Sequence, residues 1–251
     1  GLRLQCQVKL ETGMGRTGFD VSSPRDMAAV RELASLPGLE VTGLFTHFAV
    51  SDEPGESFTS EQFARFMRAA DELEKDTGRS LGMRHCANSG AVVNFRETCL
   101  DMVRPGLLLY GLYPGPEHGG LDLKPVMRLL TRVAEVTEHH AGDTISYGRI
   151  FTCEREMRLA VIPVGYADGL HRSLSGRFDV LINGRRARQV GRICMDMCMV
   201  DVSDMPEVRA GDIVTVFGDE PEATELAALA GTISYELLCA ISPRVPRVYI
   251  E

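Results

Sequence analysis

Apolar and polar residues alternate from Leu2 to Leu10, which predicts a strand, and the glycine-punctuated run ETGMGRTG after it predicts a turn. Ser23-Pro24 then supply a helix start, a serine cap with proline at the first helical position, and Met27, Val30, Leu33 and Ala34 recur at helical spacing up to Pro37. A second strand is predicted over Val41 to Phe48. From about Ser60 to Thr77 a helix would put Phe63, Phe66, Met67, Ala70 and Leu73 on one face, with Gly78 as its C-cap. Gly82 to Ala87 reads as a third strand, Ser89 to Phe95 as a short helix and Met102 to Tyr110 as a fourth strand. Strand and helix in alternation are the rhythm of a parallel sheet or barrel. An eight-unit barrel takes roughly 250 residues, so these four units amount to half of one. The first strand would start almost at once, with nothing before it to pack against, and the chain is expected to begin in the middle of a domain.

The texture changes after Gly111. The Pro/Gly-rich link YPGPEHGG leads into Pro125 to Glu138, read as one strand, and then into the loop GDTISYGRIF. Strands follow at Arg158 to Val164 and Phe178 to Ile182, and Asn183-Gly184 is a two-residue hairpin signal. Val190 to Val202 and Ile213 to Phe217 continue the β pattern, Ala223 to Ala230 is a short helix stopped at Gly231, and RVPRVYIE is read as a closing strand. The predicted fold is therefore α/β: part of a TIM-type α/β barrel, about its last four βα units, over residues 1–120, then a mainly β domain over 121–251.

Composition narrows the class. The 251 residues are 44% apolar and 25% charged, ordinary for a globular protein, and the net charge of −8, with no basic run, argues against nucleic acid or an anionic membrane as partner. No apolar run approaches the ~20 residues of a membrane span, and the N-terminus has no signal-like pattern, so a cytoplasmic location is expected. Seven scattered cysteines without a C-x-x-C suit reduced thiols, and no metal site is expected, since no histidine lies near Cys194 and Cys198 in sequence.

Candidate chemistry gathers where the four N-terminal strands end, the place where parallel α/β folds bind ligands. Strand one delivers Lys9 and, through TGMGR, Arg16. Strand two delivers His47 and then Asp52, strand three Asn88 and Ser89, and strand four Arg104 with Pro105-Gly106. Asn88 and Ser89 are in the first place a helix cap. Ser89 at a helix start, with the amides around Gly106 and Leu107, could also hold a phosphate, and Arg16 and Arg104 would add fixed positive charge for an anionic ligand. Tyr147 sits in a polar, glycine-flanked loop at the junction of the two halves, placed to reach into a cleft.

Taken in order, LETGMGRTGFD, THFAVSDE, HCANSGA, VRPGLLLYG, TISYGRIF, PVGYADGLHR, VGRICMDMCMVDV and TISYELLCAISPRVPRVY resemble bacterial alanine racemases across essentially the whole chain. The resemblance implies a pyridoxal 5'-phosphate (PLP) enzyme, a homodimer whose active site is shared across the interface, acting on a small amino acid. It implies that Tyr147 is one of two bases and reaches the substrate from the partner subunit, with His47 and Arg104 connected to it by hydrogen bonds. Arg104 would also face the cofactor's pyridine nitrogen and, as a permanent cation, weaken the electron sink and limit side reactions. Ser89, Gly106, Leu107 and Tyr235 match phosphate contacts, beside Asn88. Arg16 matches a contact to the cofactor's phenolic oxygen and the substrate carboxylate, and Met195 a carboxylate contact made through its amide from the partner subunit. Lys9 matches a lysine carried as a carbamate in many members, and Asp52, Tyr166, Arg172 and Arg192 match residues of the substrate entrance.

The sequence departs from the family in one respect. The second base and cofactor attachment point is a lysine in a segment like KANAYGHG, and that segment is absent. The only lysines are Lys9, Lys75 and Lys124; Lys9 occupies the structural position and the other two lie in charged or linking stretches. The expected function is alanine racemisation with the Schiff-base lysine outside this sequence. Serine or broad-specificity racemisation on the same fold is the alternative, and a catalytically silent fragment that only dimerises is the alternative of another class.

Overall fold

The computed structural model describes residues 2–250, and the chain divides into two compact units, the first ending at Leu123 and the second starting at Lys124. The first contains β1 (Leu4–Glu11), β2 (Phe19–Asp20), α1 (Pro24–Ser35), β3 (Leu39–Phe45), α2 (Phe58–Thr77), β4 (Met83–His85) and α3 (Ser89–Asn94). Its strands form a parallel sheet in the order β2-β1-β3-β4. Val8, Leu10, Val41 and Leu44 from the strands pack with Met27 and Val30 of α1 and Phe66, Ala70 and Leu73 of α2. The helical stripes of the sequence are thus the buried faces, with Phe63 and Met67 half-buried at the margin.

Local chemistry sets the helix ends. The Asp26 amide donates to Ser23 Oγ at 3.2 Å, satisfying one of the orphan N–H groups of the first turn of α1. Ser23→Ala is expected to cost ~1 kcal/mol, seen as a lowered urea midpoint at unchanged slope. α2 closes on Gly78 at φ 66°, a left-handed cap that glycine adopts without strain.

The strand expected over Met102 to Tyr110 does not form. The Asp101 amide reaches Arg84 O at 3.2 Å and the Arg104 amide reaches Ala87 O at 2.9 Å, so this segment runs beside β4 and starts a ladder. Pro105 has no N–H to continue it, and Leu107–Tyr110 coil into a 3-10 turn. The parallel register of the other strands pairs Lys9 with Phe45 and Phe45 with His85. Three strands therefore finish in one row, and the loops beyond that row carry the candidate residues.

The second unit is mainly β. It contains β5 (Leu129–Arg132), β6 (Glu135–His139), β7 (Thr144–Ile145), β8 (Phe151–Thr152), β9 (Met157–Ile162), β10 (Asp179–Ile182), β11 (Arg185–Val190), β12 (Cys198–Asp201), β13 (Ile213–Phe217), α4 (Ala223–Ala230) and α5 (Ser234–Ala240). A seven-stranded sheet has the order β5-β13-β10-β11-β12-β9-β6, and β7 and β8 make a separate two-stranded ribbon. The single strand expected over 125–138 is two strands at opposite edges of that sheet. The break falls where the Val133 amide donates to Asp212 O and the next amide, Ala134, to Val161 O, so consecutive residues join different neighbours. Asn183 and Gly184, at φ 50° and 75°, make the expected hairpin between β10 and β11, with Ile182 opposite Arg185.

The closing strand expected over RVPRVYIE is absent among its described residues; Glu251 lies outside them. Arg247 instead donates to the carbonyls of Ser242, Val245 and Ile241, which turns the segment back on itself. Just before it, α5 forms where the β-rich spelling TISYELLCA hid a helix. Among the described residues no helix is long and apolar enough to cross a membrane.

Candidate active site

Arg104 organises the first unit's site. Its Nη1 donates to His85 Nδ1 at 2.5 Å, and its Nη2 donates to Thr46 O at 2.8 Å and lies 3.5 Å from His47 Nδ1. The guanidinium carbon lies 5.4 Å from the centre of the Phe45 ring, on which His85 stacks at 5.1 Å. His85 is 2% exposed. Because Arg104 can only donate, His85 Nδ1 is an acceptor, and the ring proton sits on Nε2, 2.7 Å from Gln7 Oε1. Burial, and then the Arg104 charge, push the imidazole down to about 4. Gln7 reaches His85 across Gly43, where a Cβ would lie 3.3 Å from the Gln7 amide and 2.7 Å from Met83 O. A side chain at position 43 would close that passage.

His85 and Gln7 belong to no expectation drawn from the sequence. The available signal was positional: His85 ends β4 in the row where the other candidates emerge, but its neighbours Asn88 and Ser89 drew the reading. Gln62 was also missed. It is fully buried on α2, donates to Thr12 Oγ1 and His47 O and accepts from the Ala49 amide at 2.9 Å. It ties together the loops after β1 and β3, and the Thr12 and Thr46 hydroxyls meet between them at 2.8 Å.

His47 is half-buried, and burial is the main reason its imidazole lies below the usual histidine range; Arg104, Arg16 and Lys9 push in the same direction. Those three cations therefore act on one point. Arg16 is exposed, and its loop is shaped by Glu11. The Gly13 amide donates to Glu11 Oε1 at 2.6 Å. Burial alone would raise the Glu11 carboxyl, but the amides of residues 13 to 16 outweigh it and hold the group below its ordinary value. Lys9 Nζ donates to Thr17 O at 2.6 Å and lies 3.8 Å from Glu11 Oε2.

Beyond β4, the Asn88 side chain accepts the Ala91 amide at 3.0 Å and the Ser51 hydroxyl at 2.6 Å, as a helix cap does. Ser89 Oγ accepts the Gly106 amide at 2.9 Å and the Leu108 amide at 3.4 Å; Leu107 opens the 3-10 turn between them. Two backbone amides thus converge on one buried hydroxyl at the start of α3, where first-turn amides lack helical carbonyl partners, the kind of setting in which oxyanions bind. Asp52 is exposed on the loop after β3.

The second unit holds the remaining candidates. Tyr147, 68% exposed, begins the 3-10 turn Tyr147–Arg149 that joins β7 to β8. Behind it a cavity of about 550 Å³ is lined by Thr144, Ile145, Ser146, Cys194 and Met195 among others. Arg192 lies against the turn, its Nε 3.3 Å from where a Gly148 Cβ would project. The Ala167 amide donates to Met195 O at 3.0 Å and the Tyr166 amide to Cys194 O at 3.1 Å, so Tyr166 and Met195 come together. Arg244 clamps the same two turns through Asp168 at 2.8 Å and Asp196 at 2.6 Å. Arg172 opens the turn Arg172–Leu174, and Tyr235, 41% exposed, lies on α5.

Residues 1–114 match the family described as alanine racemase, N-terminal domain, and residues 126–249 match alanine racemase, C-terminal domain. The chain belongs to the alanine racemase family. The alanine racemase of Desulforamulus reducens is 47% identical over 253 residues, covering 100% of this chain and 68% of that protein. The one from Desulfovibrio desulfuricans is 48% identical over 255 residues, covering 100% and 67%. Among solved structures, the alanine racemase of D-cycloserine-producing Streptomyces lavendulae superposes with a TM-score of 0.91 at 40% identity, covering 99% of this chain and 66% of its own. The chain thus spans about two thirds of the length of the relatives it matches, 68% and 67% in the two curated cases. Racemases of this family are PLP-dependent isomerases with an α/β domain followed by a C-terminal β domain.

Proposed function

We propose that this chain carries the cofactor cradle and one of the two bases of a PLP-dependent alanine racemase, working as a cytoplasmic homodimer with shared active sites. Its first unit is read as the later βα units of a barrel. The observation that carries the reading is the pairing of two unlike sites at the ends of one parallel sheet. One is an oxyanion cradle formed by Ser89 Oγ and the Gly106 and Leu108 amides. The other is a fixed guanidinium at Arg104, held by a neutral histidine and a carbonyl.

These residues fit a phosphorylated pyridine. The cradle suits the phosphate, and Tyr235 matches a further phosphate contact by its place in the family motif. Arg104 suits the ring nitrogen, because a permanent cation donates a hydrogen bond there without giving up a proton. When bound, PLP draws electron density from the substrate Cα and makes its hydrogen acidic. Tyr147, reaching over from the partner subunit, then removes or returns that proton on one face through its phenol oxygen. His47, whose proton affinity is lowered by burial and then by three nearby cations, is suited to orient a hydrogen bond at that phenol. Arg16, with the Met195 amide of the partner subunit, would hold the substrate carboxylate, while Lys9, as an ammonium or as a carbamate, keeps the Arg16 loop in place. Asp52, Tyr166, Arg172 and Arg192 would line the approach.

The second base and cofactor attachment need a lysine with a free amine facing the cradle. Lys9 is engaged by Thr17 and Glu11, Lys75 lies in the last turn of α2 and Lys124 at the start of the second unit; that lysine is assigned outside this sequence. Absorbance of the PLP-loaded enzyme before and after borohydride reduction, with alanine racemisation measured alongside, tests the proposal. A PLP-free protein without racemisation after reconstitution would sink it. Within that enzyme, Ser89→Ala removes the oxygen that gathers two amides, and PLP affinity is expected to fall about 10- to 100-fold in an absorbance titration, with the fold intact.

A further inference from the structure

Ser146 occupies φ 67°, ψ −178°, a backbone region that is essentially reserved for glycine. Two further residues of the same turn, Gly148 at φ 74° and Arg149 at φ 52°, are also left-handed. Between them stands Tyr147, whose ring is largely exposed. A turn made of conformations that an unrestrained chain seldom visits keeps its shape only where contacts over-determine it.

Ser146 supplies those contacts. Its hydroxyl donates to Arg192 O at 2.7 Å and lies 3.6 Å from Cys194 Sγ. The carbonyl it reaches is one residue beyond Gly191, where a Cβ would stand 2.9 Å from Ser146 Cβ and 3.0 Å from Ile145 O. Gly191 therefore leaves room for the turn to sit down on the 191–194 segment, and the Ser146 hydroxyl fastens it there. That segment continues into Met195, so one bond couples the setting of Tyr147 to the backbone proposed to contact the substrate carboxylate.

We infer that Ser146 is a positioning residue: its hydroxyl and its glycine-like backbone together hold Tyr147 in the orientation needed for proton transfer. The inference rests on the reading of Tyr147 as a base, and it assigns that residue's geometry to its neighbour. A purely structural serine and a positioning serine differ in what happens when strain and anchor are removed together. Ser146→Ala loses the hydroxyl but keeps the strained backbone. Ser146→Gly loses the hydroxyl and relaxes the backbone, so it is the more stable of the two and the less well ordered at Tyr147.

The test compares Ser146→Ala, Ser146→Gly and Tyr147→Phe. In the enzyme without cofactor, Ser146→Gly is expected to melt about 2–4 °C above Ser146→Ala, with faster amide exchange over 147–149 than the wild type. In the PLP-loaded enzyme, Ser146→Gly should lower kcat about 10-fold at unchanged KM and be no more active than Ser146→Ala. Wild-type kcat in Ser146→Gly, or activity that simply follows melting temperature so that glycine outperforms alanine, overturns the inference. Tyr147→Phe separates the two levels. If it stays active, the reading of Tyr147 fails and the inference falls with it. If it is inactive while Ser146→Gly turns over normally, only the inference falls.

Discussion

Tyr147→Phe is expected to lower kcat for alanine racemisation about 1,000-fold in both directions, the scale of losing a positioned general acid or base. The fold should not notice. Tyr147 is 68% exposed in its unit, so the substitution removes a hydroxyl from the surface and no packing from a core, and stability should stay within ~0.5 kcal/mol. Because racemisation passes a proton between two faces, loss of one base stops interconversion but leaves the other face competent. Incorporation of solvent deuterium at Cα should persist for one enantiomer and vanish for the other. Equal loss of exchange from both would mean that Tyr147 acts in binding and not as a base.

Arg104→Met should combine loss of activity with loss of stability. The side chain is the donor for Thr46 O and His85 Nδ1, and methionine leaves both acceptors facing an apolar group, at a cost of about 3 kcal/mol. Racemisation should fall at least about 100-fold with the loss of a preorganised donor. The same variant changes how stability responds to pH. His85 sits at about 4 in the native chain against an ordinary value near 6.5 when unfolded. Between these values the unfolded state binds a proton that the native state refuses, so native stability falls as pH drops through that window, by on the order of 3 kcal/mol in all. Above 6.5 neither state is protonated and the full stability is present. Without the Arg104 charge, burial alone depresses His85 and its native pKa rises, which narrows the window. Urea unfolding from pH 4 to 7 should therefore show a less stable protein with a shallower acid slope, and an unchanged slope would remove the charge argument.

Much of the architecture was legible because local signals agreed with burial. Ser23-Pro24 and Gly78 mark helix ends by side-chain and backbone chemistry that acts within a few residues, and the apolar stripes of α1 and α2 coincide with the core. The failures are places where tertiary partners decide. Met102 to Tyr110 has strand-like composition, but Pro105 ends its ladder. Residues 125–138 alternate as one strand, yet Val133 and Ala134 take different neighbours. TISYELLCA is rich in residues that favour strands and still folds as α5, with Leu237 and Ser234 buried. In the site, His47, Asn88 and Ser89 lie just beyond the strands from which they were read, Lys9 lies within β1 and Arg104 on a segment that forms no strand, while the residues that fix them were hidden. Gln7, Gln62 and His85 act across 78, 50 or 19 positions of sequence, a distance over which no spacing rule operates. Ser146 was hidden otherwise: serine is ordinary by type and exceptional only by its dihedral angles.

The chain of contacts from Gln7 through His85 to Arg104 also limits where protons can travel. An arginine does not deprotonate in proteins, and the one free lone pair of His85 is spent on it. Gln7 Oε1 takes the remaining ring proton and offers nothing to pass on. A hydrogen-bonded line that elsewhere would serve as a wire is here an insulator. A proton taken from substrate near the mouth of the sheet has no route inward along it, and its exchange is left to the groups that face the substrate.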